Sequence, residues 1–99
     1  MWTATDYELD FLEKFLKIHP DLQNGPSISY NLNENEHIYH SDFYIPSLNL
    51  VIEIKNSYLA KKYFDEIYEK KKATLLTGYN YIMITNKHYK KFKQLYGRT

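Results

Sequence analysis

No cysteine occurs among the 99 residues, which excludes disulfides and any zinc site built on thiolates. No apolar run reaches the roughly 18 residues that a membrane-spanning helix needs. The opening residues Met1-Trp2-Thr3-Ala4 are not followed by the apolar stretch of a secretory signal. The expectation is a protein without membrane association that works in the cytoplasm. Internal repeats and low-complexity linkers are missing as well, and the length fits one domain over residues 1–99 with a single modest core. Acidic residues stop at Glu69. Residues 1–69 hold 12 acidic and 5 basic side chains, a formal balance of −7, whereas residues 70–99 hold 8 basic side chains and no acid. A basic stretch of this kind is either a solvated helix face or a surface that collects phosphate, with the acidic part free to collect metal ions.

What is present is an ordinary globular composition, 43% hydrophobic and 25% charged. A first helix starts at Thr5, a good N-cap, and stops at His19-Pro20, with Phe11, Leu12, Phe15 and Leu16 on its apolar side. Asp21 to Pro26 is rich in turn formers. Residues 27–32 and 37–45 read as extended segments, and residues 49–55 (NLVIEIK) as the clearest strand. Pro46-Ser47-Leu48-Asn49 is a short hairpin connection. A second helix is expected from Ser57 or Tyr58 to Gly78, with Ala60, Phe64, Ile67, Tyr68 and Leu75 as its buried stripe. Residues 80–85 form a fourth strand, and Asn86 caps a basic final helix. The resulting order α-β-β-β-α-β-α implies an α/β protein, with a mixed four-stranded sheet flanked by helices.

Side chains alternate along a strand. Leu50, Ile52 and Ile54 therefore face one way, and Val51, Glu53 and Lys55 the other. Alone, Glu53-x-Lys55 fits a solvated edge strand. With Ser47 and Leu48 at the hairpin tip, however, residue 43 faces 52 and residue 42 faces 53. Asp42 and Glu53 would then be directly opposed on one face, about 4.5–5.5 Å apart at Cβ, and would repel. A divalent cation relieves that repulsion best, and Lys55 helps from the same face. Mg²⁺ or Mn²⁺ takes one or two carboxylates together with waters and a substrate phosphate, polarises the phosphoryl group and acidifies bound water. A neighbouring lysine can orient or deprotonate that water. Phosphodiester hydrolysis needs these parts. His40 shares parity with Asp42 and would border the site as an alternative base or ligand, or be structural.

Asp42-Phe43-Tyr44-Ile45-Pro46 followed by Val51-Ile52-Glu53-Ile54-Lys55 resembles the core motif of the PD-(D/E)XK (restriction-endonuclease-like) nuclease superfamily. Lys71-Lys72-Ala73-Thr74-Leu75-Leu76-Thr77-Gly78-Tyr79-Asn80-Tyr81-Ile82 resembles a helix-to-strand segment of very-short-patch-repair-like and phage homing endonucleases. The resemblance spans most of residues 5–85. It implies an αβββαβ core, Asp42 and Glu53 as metal ligands joined by the Ile54 backbone carbonyl, Lys55 assisting the attacking water, and DNA as substrate in repair, homing or junction processing. Some repair-type relatives carry histidine where this chain keeps Lys55.

Both long helices carry a charge on their apolar side. Glu8 lies at the centre of the first helix's arc. It either closes a capping box with Thr5 or reaches over the sheet as a further metal-site carboxylate, which the superfamily often supplies from its first helix. Lys71 lies near the centre of the second helix's stripe. It either snorkels to the edge or points at the active site, and Lys72 is the other basic candidate. The basic C-terminal segment, with Lys87, Lys90, Lys91, Lys93 and Arg98, fits a phosphate-contact surface. A chain this small leaves little room for sequence recognition, so either a homodimer or a place in a larger DNA-recognising protein is expected. The alternative function is a nuclease-like module that grips nucleic acid without cutting it.

Overall fold

A computed structural model of the chain describes residues 6–96. The order of elements is α1 (Asp6–Phe15), β1 (Gln23–Asn24), β2 (Ser27–Leu32), β3 (Asn35–His40), β4 (Phe43–Ile45), a 3₁₀ turn (Pro46–Leu48), β5 (Leu50–Lys55), α2 (Ser57–Lys62), α3 (Phe64–Leu76), β6 (Asn80–Thr85) and α4 (Lys90–Tyr96). Among the described residues no helix is long and apolar enough to cross a membrane.

The hairpin β4–β5 is the scaffold. Phe43 pairs with Ile52, Tyr44 with Val51 and Ile45 with Leu50, the register anticipated from the sequence. Pro46 opens the 3₁₀ turn with its fixed φ, and Asn49 closes it in the left-handed region at φ 50, which asparagine tolerates better than most residues. The Asn49 amide donates to the Pro46 carbonyl at 3.1 Å, and its side chain donates to Gly78 O at 2.7 Å. The turn is thereby tied to the end of α3. From β5 the chain crosses through α2 and α3 and returns as β6, parallel to β5. The sheet order is β1-β4-β5-β6, so β5 is central, and Leu50 through Ile54 are all buried.

The mixed four-stranded sheet flanked by helices is as expected, but its membership is not. Residues 27–32 leave the sheet and pair with β3 as a separate two-stranded hairpin. Its tip, Asn33 and Glu34, has both φ angles positive, at 53 and 66, as a two-residue hairpin turn with the strands' twist requires. The extended run 37–45 breaks at Ser41-Asp42, so β3 and β4 lie in different sheets. The fourth place is taken by the two residues of β1, from the stretch read as loop, which pair with β4.

Contacts between the 25–26 loop and the break fix it in place. Ser41 N and Oγ both donate to Pro26 O, at 3.3 and 2.7 Å, and Gly25 N donates to Asp42 O at 3.3 Å. A side chain on Gly25 would meet Ser41 Oγ at 2.0 Å and Ser41 O at 2.7 Å, so the approach demands glycine.

Two further expectations are corrected. The second helix is two helices, split at Tyr63, whose amide ends α2 on Leu59 O while its carbonyl starts α3 by accepting from Ile67 N. Asn86 does not cap the final helix. Its φ is 50, its Oδ1 accepts from Ser57 N at 3.0 Å, and its Nδ2 donates to Ser57 Oγ at 2.8 Å. It therefore holds the start of α2, together with Asn56, whose Oδ1 accepts from Leu59 N at 2.8 Å.

The sheet has two unlike faces. Ile52, Ile54, Ile82 and Ile84 pack against Phe11 and Phe15 of α1 and Phe92 of α4 in the larger core. Phe11 stacks on Phe43 at 5.2 Å between centroids, and Phe92 meets Phe15 edge-on at 4.8 Å. On the other face Val51 joins Ile28, Tyr30 and Tyr39 of the β2–β3 hairpin, with Ala73 of α3 and Tyr81 of β6 alongside.

Candidate active site

The acidic and basic residues of β5 lie on the second face, toward the carboxyl ends of the parallel strands β5 and β6. In open α/β sheets ligands commonly bind at that end. Glu53 is only 3% exposed, a burial that a carboxylate sustains only with partners. It has two. Tyr39 donates its hydroxyl to Oε1, and Lys55 Nζ stands 3.3 Å from Oε2. The Lys55 side chain is 23% exposed, so its ammonium links the buried glutamate to solvent.

Asp42 occupies the bend between β3 and β4. The β4–β5 ladder ends at Phe43 and Ile52, and Asp42 leaves it to receive the amide of Ile54 on Oδ2 at 2.8 Å. Burial pushes the Asp42 carboxyl up to about 7. The negative charges of Glu53 and Glu8 add to the rise, while the Ile54 amide and Lys55 oppose it. Asp42, Glu53, Lys55 and Glu8 thus share one electrostatic neighbourhood. Glu8 is half-buried on α1, and the Thr5 half of its capping box lies outside the described residues.

Three residues of this neighbourhood were not singled out in the sequence. Tyr39 was hidden by parity. In one continuous strand it would face away from Asp42, but the break at Ser41-Asp42 turns β3 over the sheet and brings its hydroxyl to Glu53. Burial and the nearby Glu53 raise the Tyr39 phenol far above its ordinary range, so it stays a donor. Tyr81 lies opposite Val51 on β6. Its buried hydroxyl has no hydrogen-bond partner among the described residues, and burial with Glu53 and Asp42 nearby raises its pKa as well. Lys70 lies over the Tyr39 ring at 5.1 Å and over the Tyr30 ring at 5.9 Å, a cation–π arrangement. Its Nζ is 3.6 Å from Glu66, which also accepts from Tyr30 OH at 3.0 Å.

The other candidates are placed apart. His40 faces solvent with Nδ1 2.9 Å from Ser27 Oγ, so the parity that linked it to Asp42 is cancelled by the same break. Lys71 is exposed on α3, in a groove against β6. Lys72 pairs with Glu69 at 3.1 Å and lies over the Tyr68 ring at 5.1 Å. Lys87 follows β6 in the left-handed region and lies over Tyr7 at 5.8 Å. Lys90, Lys91 and Lys93 are exposed on α4, whose Phe92 belongs to the core opposite Glu53; Arg98 lies outside the described residues.

The donor set suits a hard cation that keeps part of its water. Among the described residues no three histidine, aspartate or glutamate side chains converge as a complete ligand group. Mg²⁺ asks for one or two carboxylates, with water and phosphate completing its octahedron, and the repulsion by Glu53 and Glu8 that adds to the effect of burial on Asp42 would be relieved by such a charge. Comparisons with protein-family models, with curated proteins and with solved structures return no match for this chain.

Proposed function

We propose that this chain is a divalent-metal-dependent nuclease domain that hydrolyses DNA phosphodiester bonds, with a restriction-endonuclease-like core. The observation that carries the proposal is that Asp42, held at the break between β3 and β4 by the Ile54 amide, lies near enough to Glu53 of β5 for the two charges to repel, beside the ammonium of Lys55. Further support comes from the antiparallel β4–β5 pair followed by a helical crossover to parallel β6, and from the resemblance of the two motif segments. Asp42 and Glu53 would hold Mg²⁺ or Mn²⁺, with the Ile54 carbonyl as a backbone ligand. The ion supplies Lewis acidity toward a phosphoryl oxygen and acidifies a bound water.

The protein's own groups do the rest. Lys55 orients the attacking water and supports the phosphate charge. Tyr39 fixes the Glu53 carboxylate through Oε1 and leaves Oε2 on the Lys55 side. The Ile54 amide fixes Asp42 in the same way. Glu8 adds negative charge from α1 as a further carboxylate of the metal site. Lys72, Lys87, Lys90, Lys91 and Lys93 lie apart from Glu53 and would meet only phosphates distant from the scissile one. Purified protein is expected to nick supercoiled plasmid with Mg²⁺ and to stop in EDTA. Glu53→Ala and Lys55→Ala should each lose the activity, Lys55→Ala by about 10²–10⁴-fold. Undiminished nicking in EDTA defeats the proposal.

A non-catalytic DNA-binding module is the second reading. It is favoured by one observation, that both Glu53 oxygens already have protein partners in Tyr39 and Lys55. Such a module binds DNA with or without Mn²⁺ and cuts it in neither condition.

A further inference from the structure

β6 is the last strand of the sheet, and its free side opens into a groove of about 300 Å³. Phe64, Tyr68 and Lys71 of α3 line one wall, Lys91 of α4 contributes another side, and Tyr81 and Met83 of β6 form the floor. Phe64 and Tyr68 are 65% and 53% exposed, although they belong to the stripe that the sequence marks as buried. The cause is the break at Tyr63. α3 turns Ile67 and Thr74 inward and leaves the neighbouring aromatic rings at the rim. No acidic side chain lines this groove, whereas those on the α2–β2 and α3–β2 sides each include aspartate or glutamate. Lys71 and Lys91 take part in no ion pair among the described residues. The groove is also one strand away from the site, because Met83 on its floor is the register partner of Glu53.

We propose that this groove binds an unpaired nucleotide of a single DNA strand, with a base stacked on Phe64 and Tyr68 and its phosphates held by Lys71 and Lys91. Every base offers an aromatic face, and stacking on exposed rings beside cations is how single strands are gripped without sequence preference. A duplex keeps its base faces stacked inside and presents only base edges and phosphates, which would leave both rings without a stacking partner. A second copy of the chain fits poorly, since a symmetric contact across β6 would set the two lysines against those of the partner. For the identity of the strand the inference rests on the proposed nuclease reading, and it makes a flap, bubble or unpaired junction the preferred substrate of that site.

The test separates binding from cleavage. Fluorescence anisotropy of a labelled oligothymidylate and of a duplex of equal length is measured in EDTA, where no cutting occurs. The oligothymidylate is expected to bind more tightly than the duplex. Phe64→Ala with Tyr68→Ala should weaken it at least about fivefold, from the worth of even one stacked base. Lys71→Ala with Lys91→Ala should lower the slope of log affinity against log salt by about 0.7 for each phosphate that is no longer neutralised. Glu53→Gln should leave binding unchanged, so loss of cleavage in that variant with binding intact separates the two sites. Exposed positions are chosen so that the variants fold, and an unaltered circular dichroism melt verifies it. Equal affinity of wild type and the aromatic double variant overturns the proposal. So does a dimer in sedimentation that the same substitutions dissolve, which would give the groove to a second copy. Selective capture of an acidic peptide in preference to oligothymidylate also overturns it.

Discussion

The two faces of the central sheet are built from the same strands and do opposite things. On the face covered by α1 and α4, β5 presents Leu50, Ile52 and Ile54, and the neighbours are aliphatic or aromatic. On the face covered by α3 and the β2–β3 hairpin, β5 presents Val51, Glu53 and Lys55. The neighbours there are tyrosines with hydroxyls to offer, and the lysine Lys70 lies over two of their rings. The first face lowers free energy by removing apolar surface from water, roughly 1.5–3 kcal/mol for a large aliphatic side chain. The second accepts the cost of burying carboxylates, and buried ionic groups contribute little net stability even when well paired. On the proposed reading stability and chemistry are divided between the faces, and substitutions should separate them.

The largest separation is expected at Glu53. Glu53→Gln keeps the volume and the Tyr39 contact, so the fold should persist by thermal denaturation while Mg²⁺-dependent nicking falls to background. Retained nicking would make the two faces equivalent in function and end the division. Phe92→Ala probes the other face, where the ring is fully buried among Phe11, Phe15 and Tyr96. Urea unfolding should show a destabilisation of about 3–5 kcal/mol, with activity falling only in proportion to the unfolded fraction.

A third effect is a pH dependence that only the polar face produces. The Asp42 carboxyl titrates near 7 in the folded protein, against 3.8 as its ordinary value. A raised folded pKa means that the native state holds a proton which the unfolded chain has released, so this group's contribution is full below pH 4. It is lost as pH rises to about 7 and is flat above. Unfolding free energies from urea titrations in EDTA should therefore decline between pH 5 and pH 8 by roughly 1–3 kcal/mol. Asp42→Asn should flatten the decline, and an unchanged slope in that variant would remove Asp42 as its source. The smallest effect is expected from Tyr39→Phe, which deletes one buried hydrogen bond to a charged group, about 1.5–3 kcal/mol at most. Its signature is weaker metal binding, read as a higher Mg²⁺ requirement for nicking, beside a melting temperature lowered by several degrees.

Much of the active-face geometry was legible because strand alternation and a short hairpin leave few choices. Ile52 opposite Phe43 follows from Pro46-Ser47-Leu48-Asn49 as a turn, whereas Asp42, expected directly opposite Glu53, leaves the ladder for the Ile54 amide. What was not legible depends on contacts distant in sequence. The break at Ser41-Asp42 is held by Gly25 and Pro26, residues that read only as a turn, and everything placed by that break was missed with it. Tyr39 reaches Glu53, His40 leaves the site and β2–β3 forms its own sheet. Tyr63 ends one helix and begins the next with neither glycine nor proline nearby, so local propensity gave no sign of it. The same division exchanged the roles of neighbouring lysines. Lys70 lies over Tyr39, and Lys71 faces the groove at β6. Asn86 stands before the last helix in sequence but beside Ser57 in space, and a cap is decided in space.

The central claim, that Asp42 and Glu53 hold one cation between them, is tested most directly by calorimetric titration of Mn²⁺ into the wild type, Asp42→Asn and Glu53→Gln at pH 6 and pH 8. One saturable site is expected in the wild type, tighter at pH 8 because the metal no longer has to displace the Asp42 proton, and greatly weakened in both variants. Heat of binding that is absent from the wild type, or unchanged in both variants, would contradict it.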